Sequence, residues 1–379
     1  MKNSIKVIVL VLSIIIVPIS IHTVQAQSGK TDYSKQVNAI KESFENKNSE
    51  KLMPHQSSEF IVPTSKSREQ TQRGLNQMFT RLPFISLEIK ESTKNKALIK
   101  YNFEQIGEKI SSIHFNDKGE ITKIELFDNL INEAVERRNA KPRPDEALAK
   151  KHPANKVTFT TKDNRIVYGE LYEVGKKKPV ILLCHQSGFN KYEYVDIAPK
   201  LNALGFNCLA VDLTSGGTFQ EKVNETIENA SAPISRDGME HINAAEEEIA
   251  AAINFLDKKY KGKITLWGSS NSATLGLFAA AENKNVNAVI TFSAFDHFRE
   301  AKPSLSTIIP QIKKPIFMTS AKGEAPIIEK LLKDIKLRKN QVHFIPQGGG
   351  DHGSKVIWTG RPDAEEYWVA IKSFLNNIK

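Results

Sequence analysis

From Val157 onward the chain repeats one pattern: short apolar runs separated by segments of helical length. The runs are Val157–Thr161, Val167–Glu173, Pro179–Cys184, Phe206–Leu213, Ile264–Trp267, Val286–Phe292, Pro315–Thr319 and Gln341–Ile345. The first two alternate apolar and polar residues; the rest are largely apolar, as strands covered on both faces must be. Between them, Val195–Leu204, Ala244–Lys258 and Ser272–Glu282 have helical length and spacing. Strands separated by helices need crossover connections, so the pattern predicts a doubly wound, mostly parallel α/β sheet of about eight strands. No internal repeat or low-complexity tract interrupts it.

The preceding hundred residues follow other rules. Tyr33–Lys47 carries Val37, Ile40 and Phe44 at helical spacing, and a second helix is expected through Thr71–Leu82. Ala97–Glu104, Lys109–Phe115 and Glu120–Phe127 alternate as half-buried antiparallel strands do. Residues 30–130 therefore read as a smaller α+β domain. The charged, proline-bearing stretch around Lys141-Pro142-Arg143-Pro144 reads as a linker over 131–150 with a frayed helix, leaving 151–379 for the α/β domain.

Residues 1–26 have the form of a cleaved leader: Lys2 and Lys6, an apolar run from Val7 to Ile21, and the small-residue exit Val24-Gln25-Ala26. The run is shorter than the ~20 residues that span a bilayer. A secreted or periplasmic protein beginning near Gln27, with no integral membrane segment after cleavage, is the expectation. Without Lys2 and Lys6 the formal charge falls from +10 to +8, since 51 Lys and Arg then face 43 Asp and Glu. That surplus is spread too thinly to indicate a nucleic-acid partner. Both cysteines, Cys184 and Cys208, lie inside apolar runs and read as buried thiols; a disulfide between them would require suitably placed neighbouring strands.

The segment richest in chemistry is Ile264-Thr-Leu-Trp-Gly268-Ser269-Ser270-Asn271-Ser272. A strand enters, a helix leaves, and small residues flank Ser270 on both sides. Such a turn presents a serine on a sharp, strained corner, which suits a nucleophile. Ser187, in His185-Gln186-Ser187-Gly188, also follows a strand, but that loop is better placed to supply backbone N–H groups to a developing oxyanion. The donors expected are the N–H groups of Gln186 and Asn271, the latter at a helix N-terminus.

A general base belongs in the loop after the last strand, where His352 lies in Gly348-Gly349-Gly350-Asp351-His352-Gly353. His343 reads as a strand residue, and His152 and His185 come too early in chain order. The orienting acid is Glu324, with Asp296 as its rival; Asp351 adjoins the histidine itself. No metal-ligand spacing or phosphate-cradling loop occurs, so no cofactor is expected.

With the order Ser270, Glu324, His352 and the loop His185-Gln186-Ser187-Gly188, residues 150–379 resemble the α/β-hydrolase superfamily, near its dienelactone-hydrolase-like and small-esterase branches. Departures are Ser272 and Gln186, where glycine is usual, and Glu324, where Asp is commoner. Dienelactone hydrolases carry a cysteine nucleophile, which this chain replaces with Ser270. The resemblance implies a serine hydrolase acting on a small-molecule carboxylic ester. A peptidase of the same fold and a non-catalytic envelope binding protein are the alternatives. The segment between Phe292 and Pro315 is where such folds insert a short cap. Residues 30–130 are similar in spacing to the nuclear-transport-factor-like, SnoaL-type cone. That similarity implies a binding or interface role and a homodimer joined through this domain.

Overall fold

The computed structural model describes residues 31–104, 106–231, 240–298 and 301–378. The expected leader, 1–26, lies outside them. The chain divides into two compact units, with the main break between Leu126 and Phe127; the short segments 82–84 and 102–108 group with the second.

The first unit begins with α1 (Ser34–Glu45) and α2 (Arg68–Arg81), followed by β1 (Phe84–Thr93), β2 (Lys96–Phe103), β3 (Gly107–Phe115) and β4 (Ile121–Ile124). The four strands form one antiparallel sheet in the order β1-β2-β3-β4. Helix α1 buries Val37, Ile40 and Phe44, the residues whose spacing predicts it. Strand β2 buries Ala97, Ile99, Tyr101 and Phe103 in strict alternation. Tyr33 stacks on Phe115 with ring centroids 3.6 Å apart.

Two differences from the sequence reading occur here. Strand β1 was not anticipated, because its residues 85–91 mostly stay exposed or half-buried and its apolar signal is diluted by Glu88, Lys90 and Glu91. The expected strand Glu120–Phe127 stops at Ile124, and Glu125 opens α3 (Glu125–Asn139). Leu126, Leu130 and Ala134 recur at i, i+4 and i+8, so the helical period takes over from the strand-like Ile-Thr-Lys-Ile. Most of the expected linker is thus helical: α3, then α4 (Glu146–Lys151), whose start is capped by Asp145 accepting the Leu148 N–H at 2.9 Å.

The second unit is built on eight strands: β5 (Ala154–Thr160), β6 (Ile166–Tyr172), β7 (Val180–Cys184), β8 (Asn207–Val211), β9 (Ile264–Ser269), β10 (Val286–Phe292), β11 (Ile316–Thr319) and β12 (Gln341–Phe344). Their order is β12-β11-β10-β9-β7-β8-β6-β5. Strand β6 runs antiparallel to both its neighbours, and all pairs from β8 to β12 are parallel. This mixed, α/β-hydrolase-like sheet agrees with the sequence expectation of eight mostly parallel strands.

Helices cover both faces: α5 (Ile197–Ala203), α6 (Glu225–Glu228), α7 (Glu240–Lys259), α8 (Asn271–Glu282), α9 (Leu305–Ile308), α10 (Ala325–Leu332) and α11 (Ala364–Ile378). One core layer joins α7, α8 and α10 to Leu182, Leu209 and Leu266; the other joins α5 and α11 to Ile181, Trp267 and Phe317. The five residues of β7 are all buried, as are those of β8 and β11, which is why their sequences are almost wholly apolar. Short helix α9 occupies the segment where a small cap was expected.

Cys184 and Cys208 sit on neighbouring strands but out of step, Cys184 level with Val211 and Cys208 with Ile181. Three positions apart along a pleated pair, they point to opposite faces and pack in different core layers. Both are free thiols, and burial raises the pKa of each.

Candidate active site

The sheet register brings the chemistry to one edge. Cys184 is level with Gly268, Ser269 with Phe292, Phe292 with Thr319, and Thr319 with Phe344. The loops that follow β7, β9, β10, β11 and β12 therefore leave the sheet side by side. Chain order also reverses here, β8 lying on one side of β7 and β9 on the other, and such a switch point, at the carboxyl ends of the strands, is where open α/β sheets place their ligand sites.

Ser270 stands between β9 and α8 at φ 56°, ψ −118°, a conformation that L-residues adopt only under strain. The turn closes because Gly268 has no side chain: a Cβ there would lie 2.4 Å from the Ser272 carbonyl oxygen and 2.5 Å from Ala273 backbone atoms. Gly276 similarly lets α8 settle on Leu266. The departure at Ser272 has a structural use, since its hydroxyl donates to the His185 carbonyl at 2.6 Å and ties the elbow to the loop after β7.

Ser270 Oγ lies 2.8 Å from His352 Nε2, and His352 Nδ1 lies 2.6 Å from Glu324 Oε1. The other oxygen, Oε2, accepts the Ser293 hydroxyl at 2.7 Å and the Ala321 N–H at 3.2 Å. Burial would raise the Glu324 pKa, but the bond and charge of His352, the Ser293 hydroxyl and the Ala321 N–H outweigh it and hold the carboxyl below its ordinary value. An ionised carboxylate there favours the tautomer with the proton on Nδ1, leaving Nε2 to accept from the serine. Positive-φ glycines at 350 and 353 carry the imidazole across; a Cβ on Gly353 would meet Ser269 Oγ at 2.6 Å.

The rivals have other occupations. Asp296 accepts the Ser304 hydroxyl and the Leu305 N–H, both at 2.7 Å, and so holds the start of α9. Asp351 pairs with Arg361 and Lys355. His343 is a β12 residue level with Met318. His185 is fully buried, accepting the Leu213 N–H on Nε2 and contacting the Gln186 carbonyl through Nδ1, and burial lowers its pKa.

The Gln186 N–H does not fit the donor role expected of it. It is given to the Glu193 carboxylate at 2.8 Å, because the chain after β7 turns back on a buried acid. The following N–H, that of Ser187, has no acceptor among the described residues, nor does that of Asn271 at the first position of α8.

Three residues near the site were missed. Ser293, at φ 57°, bridges Glu324 and the Gly353 N–H; a single strained serine after a strand leaves no sequence signal. Glu193 lies in a short helical turn, Lys191–Tyr194, and looks like surface charge until the fold buries it. His297, which reads as isolated in the sequence, lies within electrostatic reach of His352 and Glu324; burial, then the charge of His352, lowers its pKa.

Among the described residues no group of three His, Cys, Asp or Glu side chains is placed to hold a metal ion, and no helix is long and apolar enough to cross a membrane.

Residues 168–345 match the model of the dienelactone hydrolase family. No curated protein matches the chain in sequence. Among solved structures, an esterase of Pyrococcus furiosus is 18% identical, with a TM-score of 0.46 over 63% of this chain and 99% of its own. A dienelactone hydrolase of Anabaena variabilis is 16% identical, with a TM-score of 0.46 over 60% of this chain and 98% of its own. A hypothetical protein of Pseudomonas aeruginosa is 14% identical, with a TM-score of 0.48 over 64% of this chain and 100% of its own. The family match, on a sheet of this strand order, supports a hydrolase of the α/β-hydrolase superfamily.

Proposed function

We propose that the protein is a serine hydrolase that cleaves a carboxylic ester of a small molecule through an acyl-enzyme. Ser270 attacks the acyl carbonyl, His352 takes its proton on Nε2 and passes it to the departing alcohol, and Glu324 orients the ring. The tetrahedral oxyanion is received by the N–H groups of Ser187 and Asn271. Water, deprotonated by the same histidine, then releases the acid. The observation that carries this reading is the unbroken line of hydrogen bonds from Ser270 Oγ through His352 to Glu324.

The leader-like residues 1–26 support a secreted or periplasmic location. The first unit, SnoaL-like in the spacing of its elements, acts as a binding or interface module that pairs two copies. Its His114 Nε2 and Glu125 Oε1, 2.7 Å apart and partly exposed, form a hydrogen bond that links β3 to the start of α3.

The test is hydrolysis of p-nitrophenyl acetate and butyrate by residues 27–379, beside Ser270→Ala and fluorophosphonate labelling. Turnover and label that both vanish in the variant support the reading. Their absence from the wild type overturns it, and favours a non-catalytic binding protein on the same scaffold.

A further inference from the structure

Glu193 is a fully buried carboxylate behind the Ser270 site. Its Oε2 accepts the Gln186 N–H and its Oε1 the Ser269 hydroxyl, each at 2.8 Å. Ser269 Oγ in turn accepts the Ser354 N–H at 2.9 Å, and the Trp358 indole N–H donates to the Glu193 carbonyl at 2.8 Å. Glu193 and Ser269 together therefore join the three loops that carry the oxyanion donor, the nucleophile and the base. Each of the two donors to the Glu193 side chain is the immediate neighbour of a reacting group: Gln186 precedes Ser187, and Ser269 precedes Ser270.

No cation touches this carboxylate among the described residues. Lys355, whose charge acts on it, is paired with Asp351 at 3.3 Å. A buried charge without a contacting partner is expensive, whereas a neutral amide carries no such penalty but could accept only one of these two hydrogen bonds, having a single accepting oxygen. When it is ionised, the charge is stabilised by a positive charge within its reach, and the imidazolium formed during the reaction is one.

Resting on the serine-hydrolase reading, we propose that Glu193 is a positioning residue: its carboxylate fixes the Gln186–Ser187 peptide and Ser269, and its charge stabilises the His352 imidazolium from behind. The groups that face it are Lys355 and His352 from the loop after β12 and the Tyr194 phenol beside it. Burial pushes its pKa up to about 7, against the opposing effects of Gln186, Ser269, Lys355 and His352. Its charge therefore appears over the same pH range in which an imidazole becomes a base.

The experiment compares wild type with Glu193→Gln for p-nitrophenyl acetate hydrolysis from about pH 5.5 to 9, with folding checked by circular dichroism. The expected result is a kcat lower by about tenfold, a KM within about twofold, and an acid limb that loses the steepness contributed by a second ionisation. A folded variant with wild-type kcat, or with lowered kcat and the wild-type acid limb, overturns the proposal. Should Glu193→Gln fail to fold, Ser269→Ala carries the test: kcat reduced with KM held supports the proposal, and unchanged kcat overturns it. An inactive wild type instead defeats the serine-hydrolase reading itself, so the two failures are distinct.

Discussion

The Ser293 hydroxyl donates to Glu324 Oε2 at 2.7 Å, and its oxygen accepts the Gly353 N–H at 3.1 Å, so one serine holds both the acid and the backbone next to His352. It does so from a left-handed φ of 57°, which costs a non-glycine residue about 1–2 kcal/mol. Ser293→Ala keeps the backbone and removes the hydroxyl. We expect kcat for p-nitrophenyl acetate to fall about tenfold, ~1.4 kcal/mol, with KM unchanged. An equal loss in both constants would place Ser293 outside the acid's support.

The two candidate acids separate cleanly by substitution. Glu324→Gln removes the partner of His352 Nδ1 and should lower kcat by about 10³- to 10⁴-fold. Asp296→Asn weakens the hold on Ser304 and Leu305 and should cost about 1 kcal/mol of stability, with turnover little changed. Urea melts and kinetics on the same two proteins read both effects; the reverse pattern would assign the acid to Asp296.

Buried carboxylates also shape the pH dependence of folding. Burial, against opposing hydrogen bonds and charges, pushes Glu193 and Glu248 up to about 7 from 4.5. Between those values the folded chain holds protons that the unfolded chain has released, so their contribution to stability is greatest below pH 4.5 and is lost as pH rises through 7. For Glu193 the loss is on the order of 3 kcal/mol. Thermal melts of Glu193→Gln and wild type should therefore diverge from pH 5 to 7.5, with the variant gaining; a constant difference would refute the shift.

The elbow depends on hydrogen at one Cα. Gly268→Ala drives a methyl group into the Ser272 carbonyl at 2.4 Å, so β9 and α8 must separate. We expect a loss of about 2–4 kcal/mol in urea unfolding together with loss of fluorophosphonate labelling. Retained labelling at wild-type rate would mean that the turn tolerates a side chain.

What could be read in advance follows from range. The strands β7 to β11 are buried almost throughout, so each announces itself as an apolar run, and the loops after β9, β11 and the edge strand β12 hold Ser270, Glu324 and His352 in readable order. Strand β1 and helix α3 were harder: the first is mostly exposed and charged, the second begins inside an alternating stretch. Glu193 and Ser293 act through contacts with Ser269 and Glu324, 76 and 31 positions away in sequence, and only the folded sheet edge brings such pairs together. The direction of the Gln186 N–H was not legible because a peptide plane's orientation leaves no mark in sequence, and here it is set by the Glu193 carboxylate seven residues on.

The placement of Cys184 and Cys208 on opposite faces of one sheet makes this fold indifferent to its redox surroundings. With no cross-link to make within the chain and both sulfurs sealed in hydrocarbon, glutathione or dithiothreitol has nothing to reduce. The same molecule can ripen in an oxidising envelope or in a reducing cytosol without help from a disulfide isomerase.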